Sequence, residues 1–164
     1  MIVGIDFDRV LFDTDAFDRE LKESVEGMHH TEEEPYDENG NYSPEIHAEI
    51  LGIDADSIYD AAAEIASSFL YPDAARLEQV PCEVVIVTRG EEKFQRIKVE
   101  NSGVLGYVDS YIVIEDGDKE LEELDMLVDD REEELDGAEI PTFLFDRKEN
   151  DMEDIVEWVE QREA

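Results

Sequence analysis

The chain opens on an apolar run, Ile2-Val3-Gly4-Ile5, that ends in two aspartates one residue apart, Asp6 and Asp8. A short, continuous apolar run of this kind reads as a strand covered on both faces. Side chains alternate along a strand, so Asp6 and Asp8 are expected to point the same way while the backbone stays extended. Two carboxylates on one side of a strand end repel each other unless a cation sits between them. A hard divalent ion such as Mg²⁺, which takes oxygen ligands, meets that need. One carboxylate is then free to act as a nucleophile and the other as an acid and base.

Four more apolar runs follow, at residues 83–88, 111–115, 125–129 and 141–145, and join residues 2–7 as candidate strands. Helical patterns separate the later ones. Phe94, Ile97 and Lys98 fall at near-helical spacing in 91–101, and Ser102-Gly103 ends that stretch. Leu121 and Leu124 suggest a helix over 117–124. Met152, Ile155, Val156 and Val159 form an i, i+3, i+4, i+7 stripe near the C-terminus. Strands alternating with helices predict an α/β fold with a parallel, doubly wound sheet. Ligands of such sheets bind at the carboxyl ends of the strands. Asp6, Asp8, Thr88, Asp129 and Asp130 all fall at or just after predicted strand ends, so they converge on one edge.

Residues 16–71 break the alternation. Residues 16–27 and 57–69 read as helices, and Ser43-Pro44 marks another helix start, with Pro at the first helical position. The segment is expected to be a small helical cap inserted after the first strand. The catalytic core is then 1–15 together with 72–164.

Charge narrows the partners. The 164 residues carry 48 Asp and Glu against 13 Lys and Arg, a formal net charge of -35. Such a surface repels nucleic acid. The acidity is spread along the chain rather than gathered in a tail, and apolar elements persist between the charges, which opposes disorder. This spread resembles proteins of extreme halophiles, where molar salt shortens the screening length to about 3 Å and quenches self-repulsion. An ordinary acidic protein or a nucleic-acid mimic could also carry such an excess of acid. No apolar stretch is long enough for a membrane helix, no leader precedes the first strand, and a single cysteine, Cys82, fits a reducing cytoplasm. Oligomeric state is not legible.

The order of these elements carries a resemblance. Asp6-Phe7-Asp8-Arg9-Val10 follows the first strand, Val84-Val85-Ile86-Val87-Thr88 is an apolar strand ending in Thr, Lys119 stands just ahead of another strand, and Met126-Leu127-Val128-Asp129-Asp130 ends in an acidic pair. In this order they resemble the four motifs of the haloacid dehalogenase-like hydrolase superfamily, from residue 2 to about residue 146. The resemblance implies a three-layer α/β/α Rossmann-like core and a cap that acts as a lid selecting substrate. It also implies a Mg²⁺-dependent phosphatase acting on a small phosphorylated metabolite through an aspartyl-phosphate. Asp6 would be the nucleophile and Asp8 the acid and base. Thr88 would donate to a phosphoryl oxygen, and Lys119 would neutralise charge. Asp6, the Asp8 carbonyl and a fourth-motif carboxylate would hold the metal. A phosphomutase, a 2-haloacid dehalogenase and a non-catalytic binding module remain as alternatives. Asp8 and the acidic pair speak against the dehalogenase, which needs neither.

Simpler roles exist for each residue. The aspartates are good turn formers, Thr88 a good helix cap, and Lys119, beside Glu120 and Glu122, a ready surface ion pair. Lys98 rivals Lys119 as the catalytic lysine, with Lys93 third. Asp130 is favoured over Asp129 as the metal ligand, because Asp129 occupies the position where the family commonly has glycine. Arg9 also stands where many relatives have glycine, and either faces an anionic substrate or points to solvent. His29, His30 and His47 show no zinc spacing, Asp37-Glu38-Asn39-Gly40-Asn41 reads as a polar turn, and Tyr36 and Tyr42 are candidate substrate contacts.

Overall fold

The computed structural model describes residues 1–27 and 34–163. Five strands form one parallel sheet: β1 (Ile2–Ile5), β2 (Glu83–Arg89), β3 (Ser110–Ile114), β4 (Met126–Asp129) and β5 (Thr142–Leu144), in the order β3-β2-β1-β4-β5. β1 is central, with Ile5 opposite Ile86 on one side and Val128 on the other. The chain winds outward from β1 through β2 to β3, then crosses back to β4 and β5. The strand order therefore reverses at β1, where open parallel sheets bind their ligands.

The two faces of the sheet are covered unequally. Val3, Ile5, Val84, Ile86, Met126 and Val128 join the larger core, packed with α4 (Glu92–Ser102) and α6 (Met152–Glu163). Val85, Val87 and Leu127 face the other way, into a smaller cluster with Leu124 and Ile114. That face is covered by a short α5 (Glu132–Leu135), through Leu135, and by the loop between β3 and β4. Gly4 lets that loop press onto the sheet, since a Cβ there would stand 2.8 Å from Leu124 Cδ1. Each fully buried Leu, Ile or Phe contributes about 1.5–3 kcal/mol. The central strands are thus fixed by the continuous apolar runs that marked them.

Residues 117–124 are not helical, contrary to their Leu121 and Leu124 spacing. Lys119 and Leu124 are buried and Leu121 packs against the smaller core. Inward residues at 119 and 121 lie on opposite sides of a helix, so one helical face cannot supply them. Gly117 turns the backbone with a φ of +88°, and Glu120, Glu122 and Glu123 offer no compensating charge pair. Lys119 therefore sits in an irregular loop rather than opening a helix.

Between β1 and β2 lie α1 (Thr14–Glu26), α2 (Pro44–Leu51) and α3 (Ala55–Ile65), followed by 3₁₀ turns at Ala66–Ser68 and Pro72–Gln79. Their starts follow the capping chemistry. Asp13 Oδ1 accepts from Ala16 N, Ser43 Oγ accepts from Ile46 N ahead of Pro44, and Asp54 Oδ1 accepts from Asp56 N. Phe12, Phe17, Phe69 and Phe94 stack edge to face or tilted at 5.0–6.4 Å, so the apolar side chains of α1 continue the core of the sheet. His29 and His30 lie outside the described residues. No described helix is long and apolar enough to cross a membrane.

Candidate active site

Asp6 prolongs β1 by one residue, its N–H donating to Val128 O at 2.9 Å. The backbone then turns sharply. The amides of Val10, Leu11 and Phe12 all donate to Phe7 O, and Arg9 takes a φ of +65°. A left-handed φ is costly for a side chain larger than glycine. Glycine at this position would relieve it. Beyond this turn the two carboxylates have different partners. Strand alternation predicts that they point one way and share a cation, but the extended backbone stops at Asp6 and each carboxylate finds its own lysine.

Asp6 is buried, and its Oδ1 accepts from Lys119 Nζ at 2.7 Å. The same ammonium donates to Asp129 Oδ2 at 2.6 Å, and Asp129 Oδ1 accepts from Arg131 N at 2.9 Å. Lys119 is itself buried. Burial disfavours its charge, but the two carboxylates outweigh that and push its pKa up. Burial holds the Asp6 carboxyl well above the usual range. Lys119 opposes the rise, while the charges on Asp129 and Asp8 add to it. Asp129 is raised by burial as well, again against Lys119.

Asp8 is held by side chains of α4 and α1. Its Oδ1 accepts from Lys98 Nζ at 2.8 Å and from Thr14 Oγ1 at 2.8 Å, and its Oδ2 accepts from Gln95 Nε2 at 2.9 Å. Burial alone would raise its pKa, but the charge of Lys98 and the hydrogen bonds from Lys98, Gln95 and Thr14 together bring it below the ordinary value. Gln95 Nε2 also donates to Arg89 O at 2.6 Å, and its amide fills the space where a Cβ on Gly90 would stand. Glycine at 90, with a φ of +151°, is what admits this side chain.

Both Lys119 and Lys98 therefore belong to the site, one on each aspartate, while Lys93 pairs with Asp56 on the surface. Thr88 lies in β2, fully buried, and its hydroxyl has no partner among the described residues. It caps no helix. Glu134 pairs with Arg89 at 2.6 Å, and Arg89 Nη2 donates to Gly117 O, tying the loop that bears Lys119 to the end of β2. Arg9 pairs with Asp15 at 3.0 Å on the surface. His47 is buried between Tyr42 Oη at 2.6 Å and Glu26 Oε1 at 3.1 Å, an arrangement that satisfies both ring nitrogens.

Thr14, Gln95 and Arg89 belong to none of the sequence motifs. A signal existed for Gln95: it shares the buried face of α4 with Phe94, Lys98 and Val99. Polar residues such as Gln95 and Lys98 on a buried helical face need buried partners.

Oxygens of Asp6, Asp129 and Asp130 approach within 4.8 Å of one another. Against three carboxylates stands the single ammonium of Lys119. An all-oxygen donor set with excess negative charge fits a hard divalent cation such as Mg²⁺. Both Asp129 oxygens already accept hydrogen bonds.

The fold is that of haloacid dehalogenase-like hydrolases. A protein described as a haloacid dehalogenase-like hydrolase from Burkholderia xenovorans superposes with a TM-score of 0.62 at 20% identity, over 99% of this chain and 98% of that one. The magnesium-bound hydrolase YfnB of Bacillus subtilis gives 0.53 at 14% identity, over 97% and 98%. No family model matches the sequence, and no curated protein matches it.

Proposed function

We propose that this chain is a Mg²⁺-dependent phosphatase that hydrolyses a small phosphorylated metabolite through an aspartyl-phosphate on Asp6. The observation that carries the proposal is the division of labour between the aspartates. Asp6 is buried against Lys119 and two further carboxylates. Asp8, two residues on, is held by a separate set of donors in the wall of an open cleft. A nucleophile and a proton carrier need different environments at close quarters.

In the first step an Asp6 carboxylate oxygen attacks phosphorus and the ester P–O bond breaks. The leaving oxygen takes its proton from Asp8. Water then attacks the aspartyl-phosphate, giving a proton to the Asp8 carboxylate as the bond from phosphorus to Asp6 breaks. Inorganic phosphate leaves and both aspartates are restored. Lys98, Gln95 and Thr14 fix the direction of the Asp8 carboxyl, and they favour its ionised form at rest. A phosphoryl dianion beside it raises its proton affinity by like charge, which readies it as the acid. Lys119 restrains Asp6 and neutralises charge on the phosphoryl oxygens. The unpartnered Thr88 hydroxyl is available to donate to one of those oxygens. Asp6, Asp130 and the Asp8 carbonyl would hold Mg²⁺, with Asp129 behind them as partner of Lys119. The ion would supply charge neutralisation for the phosphoryl group.

The test is phosphate release from a panel of phosphomonoesters with Mg²⁺ at molar KCl, alongside 2-chloropropionate. Phosphate release without halide release is expected. Halide release alone would make the chain a dehalogenase, and no turnover with any ester would leave a binding module. A phosphomutase would show itself by phosphoryl transfer to a sugar phosphate in preference to water.

A further inference from the structure

The chain leaves the sheet for the helical insertion at residues 10–13 and returns at residues 69–73. The two crossings are joined to each other. Asp13 N donates to Phe69 O at 2.8 Å, Tyr71 N donates to Leu11 O at 2.9 Å, and Phe12 pairs with Leu70. The outgoing crossing grows directly out of the turn that carries Asp8.

Arg147 grips both crossings from the far end of β5, an edge strand. Its Nε donates to Val10 O at 2.9 Å, and its Nη2 donates to the same oxygen. Nη1 and Nη2 also donate to Asp73 Oδ2 and Oδ1 at 2.7 and 2.9 Å, a bidentate pair. Asp73 is held in turn by Met152 N, at the start of α6, at 3.0 Å. The guanidinium lies over the Tyr71 ring, with Cζ 3.9 Å from its centroid.

The grip on Val10 bears on the active site. Within the turn, Phe7 O accepts from the amides of Val10, Leu11 and Phe12, and Phe12 O accepts from those of Arg9 and Thr14. Among the described residues no backbone amide donates to Val10 O, so Arg147 satisfies it. The neighbouring Arg9, at a φ of +65°, persists only where its surroundings hold it. Arg9 N donates to Thr14 Oγ1 at 3.1 Å, and that hydroxyl donates to Asp8 Oδ1. A contiguous set of bonds therefore runs from Arg147 through the turn to the Asp8 carboxylate.

We infer that Arg147 is a positioning residue for the proton carrier. By clamping Val10 O to Asp73 it holds the turn of residues 7–12, and so keeps Asp8 aligned with Lys98, Gln95 and Thr14. Loss of the clamp lets the turn shift and carries Asp8 out of line with the leaving oxygen. Asp6, anchored to β4 through its amide and to Lys119, still attacks. This inference rests on the phosphatase reading of Asp8 and extends it to a residue that acts through the turn.

The experiment compares kcat/KM for 2-phenylethyl phosphate and p-nitrophenyl phosphate, with Mg²⁺ at molar KCl, in the wild type, Arg147→Ala, Arg147→Lys and Asp73→Asn. Arg147→Ala should lose about fivefold or more on the alkyl ester beyond its loss on the aryl ester, whose leaving group needs little protonation. Arg147→Lys keeps the charge but lacks the planar fork that spans two acceptors, and should fall between. Asp73→Asn should move the ratio the same way. Guanidinium ion at low concentration should restore the ratio in Arg147→Ala. A variant that merely folds poorly loses both rates in proportion, and guanidinium, a denaturant, lowers them further. An unchanged ratio in Arg147→Ala, or in both Arg147→Lys and Asp73→Asn should the alanine variant not fold, overturns the inference and leaves the phosphatase reading standing. Failure of the wild-type protein on both esters overturns both.

Discussion

Lys98 Nζ stands 2.8 Å from Asp8 Oδ1 across ninety residues of sequence, on an α4 face shared with Phe94, Gln95, Val99 and Ser102. That contact makes a second lysine part of the site. Lys119 serves Asp6 and Asp129, and Lys98 serves Asp8. A buried carboxylate deprived of its cation is left uncompensated, which costs about 3–5 kcal/mol.

Lys98 is therefore expected to affect proton transfer rather than attack on phosphorus. Lys98→Met should slow an alkyl phosphate at least tenfold more than an aryl phosphate, whose leaving group needs little protonation. Asp8→Ala should show the same ordering, with a residual loss on the aryl ester because Asp8 also activates water. Steady-state rates on matched alkyl and aryl esters measure this. Equal losses on both esters would remove Asp8 as the acid.

Asp6→Asn should abolish turnover, by about 10³-fold or more, while the protein stays folded. Asn keeps the shape and loses the attacking charge. Circular dichroism controls for folding, and a folded variant with near wild-type phosphate release would end the covalent mechanism.

The metal prediction separates the acidic pair. Both Asp129 oxygens are occupied by Lys119 and Arg131 N, whereas Asp130 lies in the oxygen cluster half-exposed. Asp130→Asn should raise the Mg²⁺ concentration for half-maximal activity at least tenfold, and Asp129→Asn less. Titration of Mg²⁺ against activity decides the order. EDTA should silence the wild-type protein, and activity that survives it would exclude a required ion.

Asp18 gives a prediction about stability and pH. Its folded pKa is about 6, against about 3.9 for an unfolded aspartate. Below pH 4 both states hold the proton and nothing is lost. As pH rises from 4 to 6, the unfolded chain ionises first, so folding stability falls, by about 2 kcal/mol. Asp18→Asn removes that loss. It should melt about 4–8 °C above wild type at pH 7.5 and level with it at pH 4. Glu20→Gln, an exposed change on the same helix, controls for the charge removed. Equal melting at both pH values would show that burial does not raise the Asp18 pKa.

The net charge of -35 predicts that the melting temperature rises with KCl into the molar range, as screening offsets self-repulsion. Melts at low and molar KCl test this, and coincident midpoints would withdraw the halophilic interpretation.

The sequence by itself determined the sheet. Continuous apolar runs can be buried only between two layers, so residues 2–5, 83–89, 110–114 and 126–129 became strands of a parallel sheet, and the polar residues ending them were brought to one edge. Local chemistry also fixed the helix starts at Ser43-Pro44 and the stop at Gly103. Tertiary structure alone decided which charge meets which. After the turn at Phe7, with Arg9 at positive φ, Asp8 pairs with Lys98 while Asp6 pairs with Lys119. The loop that carries Lys119 is irregular because inward contacts at 119, 121 and 124 outweigh a weak helical period. Gln95 and Thr14 carry no local signature, since a hydrogen bond between residues as distant as Asp8 and Gln95 is set by how helices pack on the sheet. Periodicity reports how a segment meets the core as a whole, and an individual ion pair is fixed only once the layers are in place.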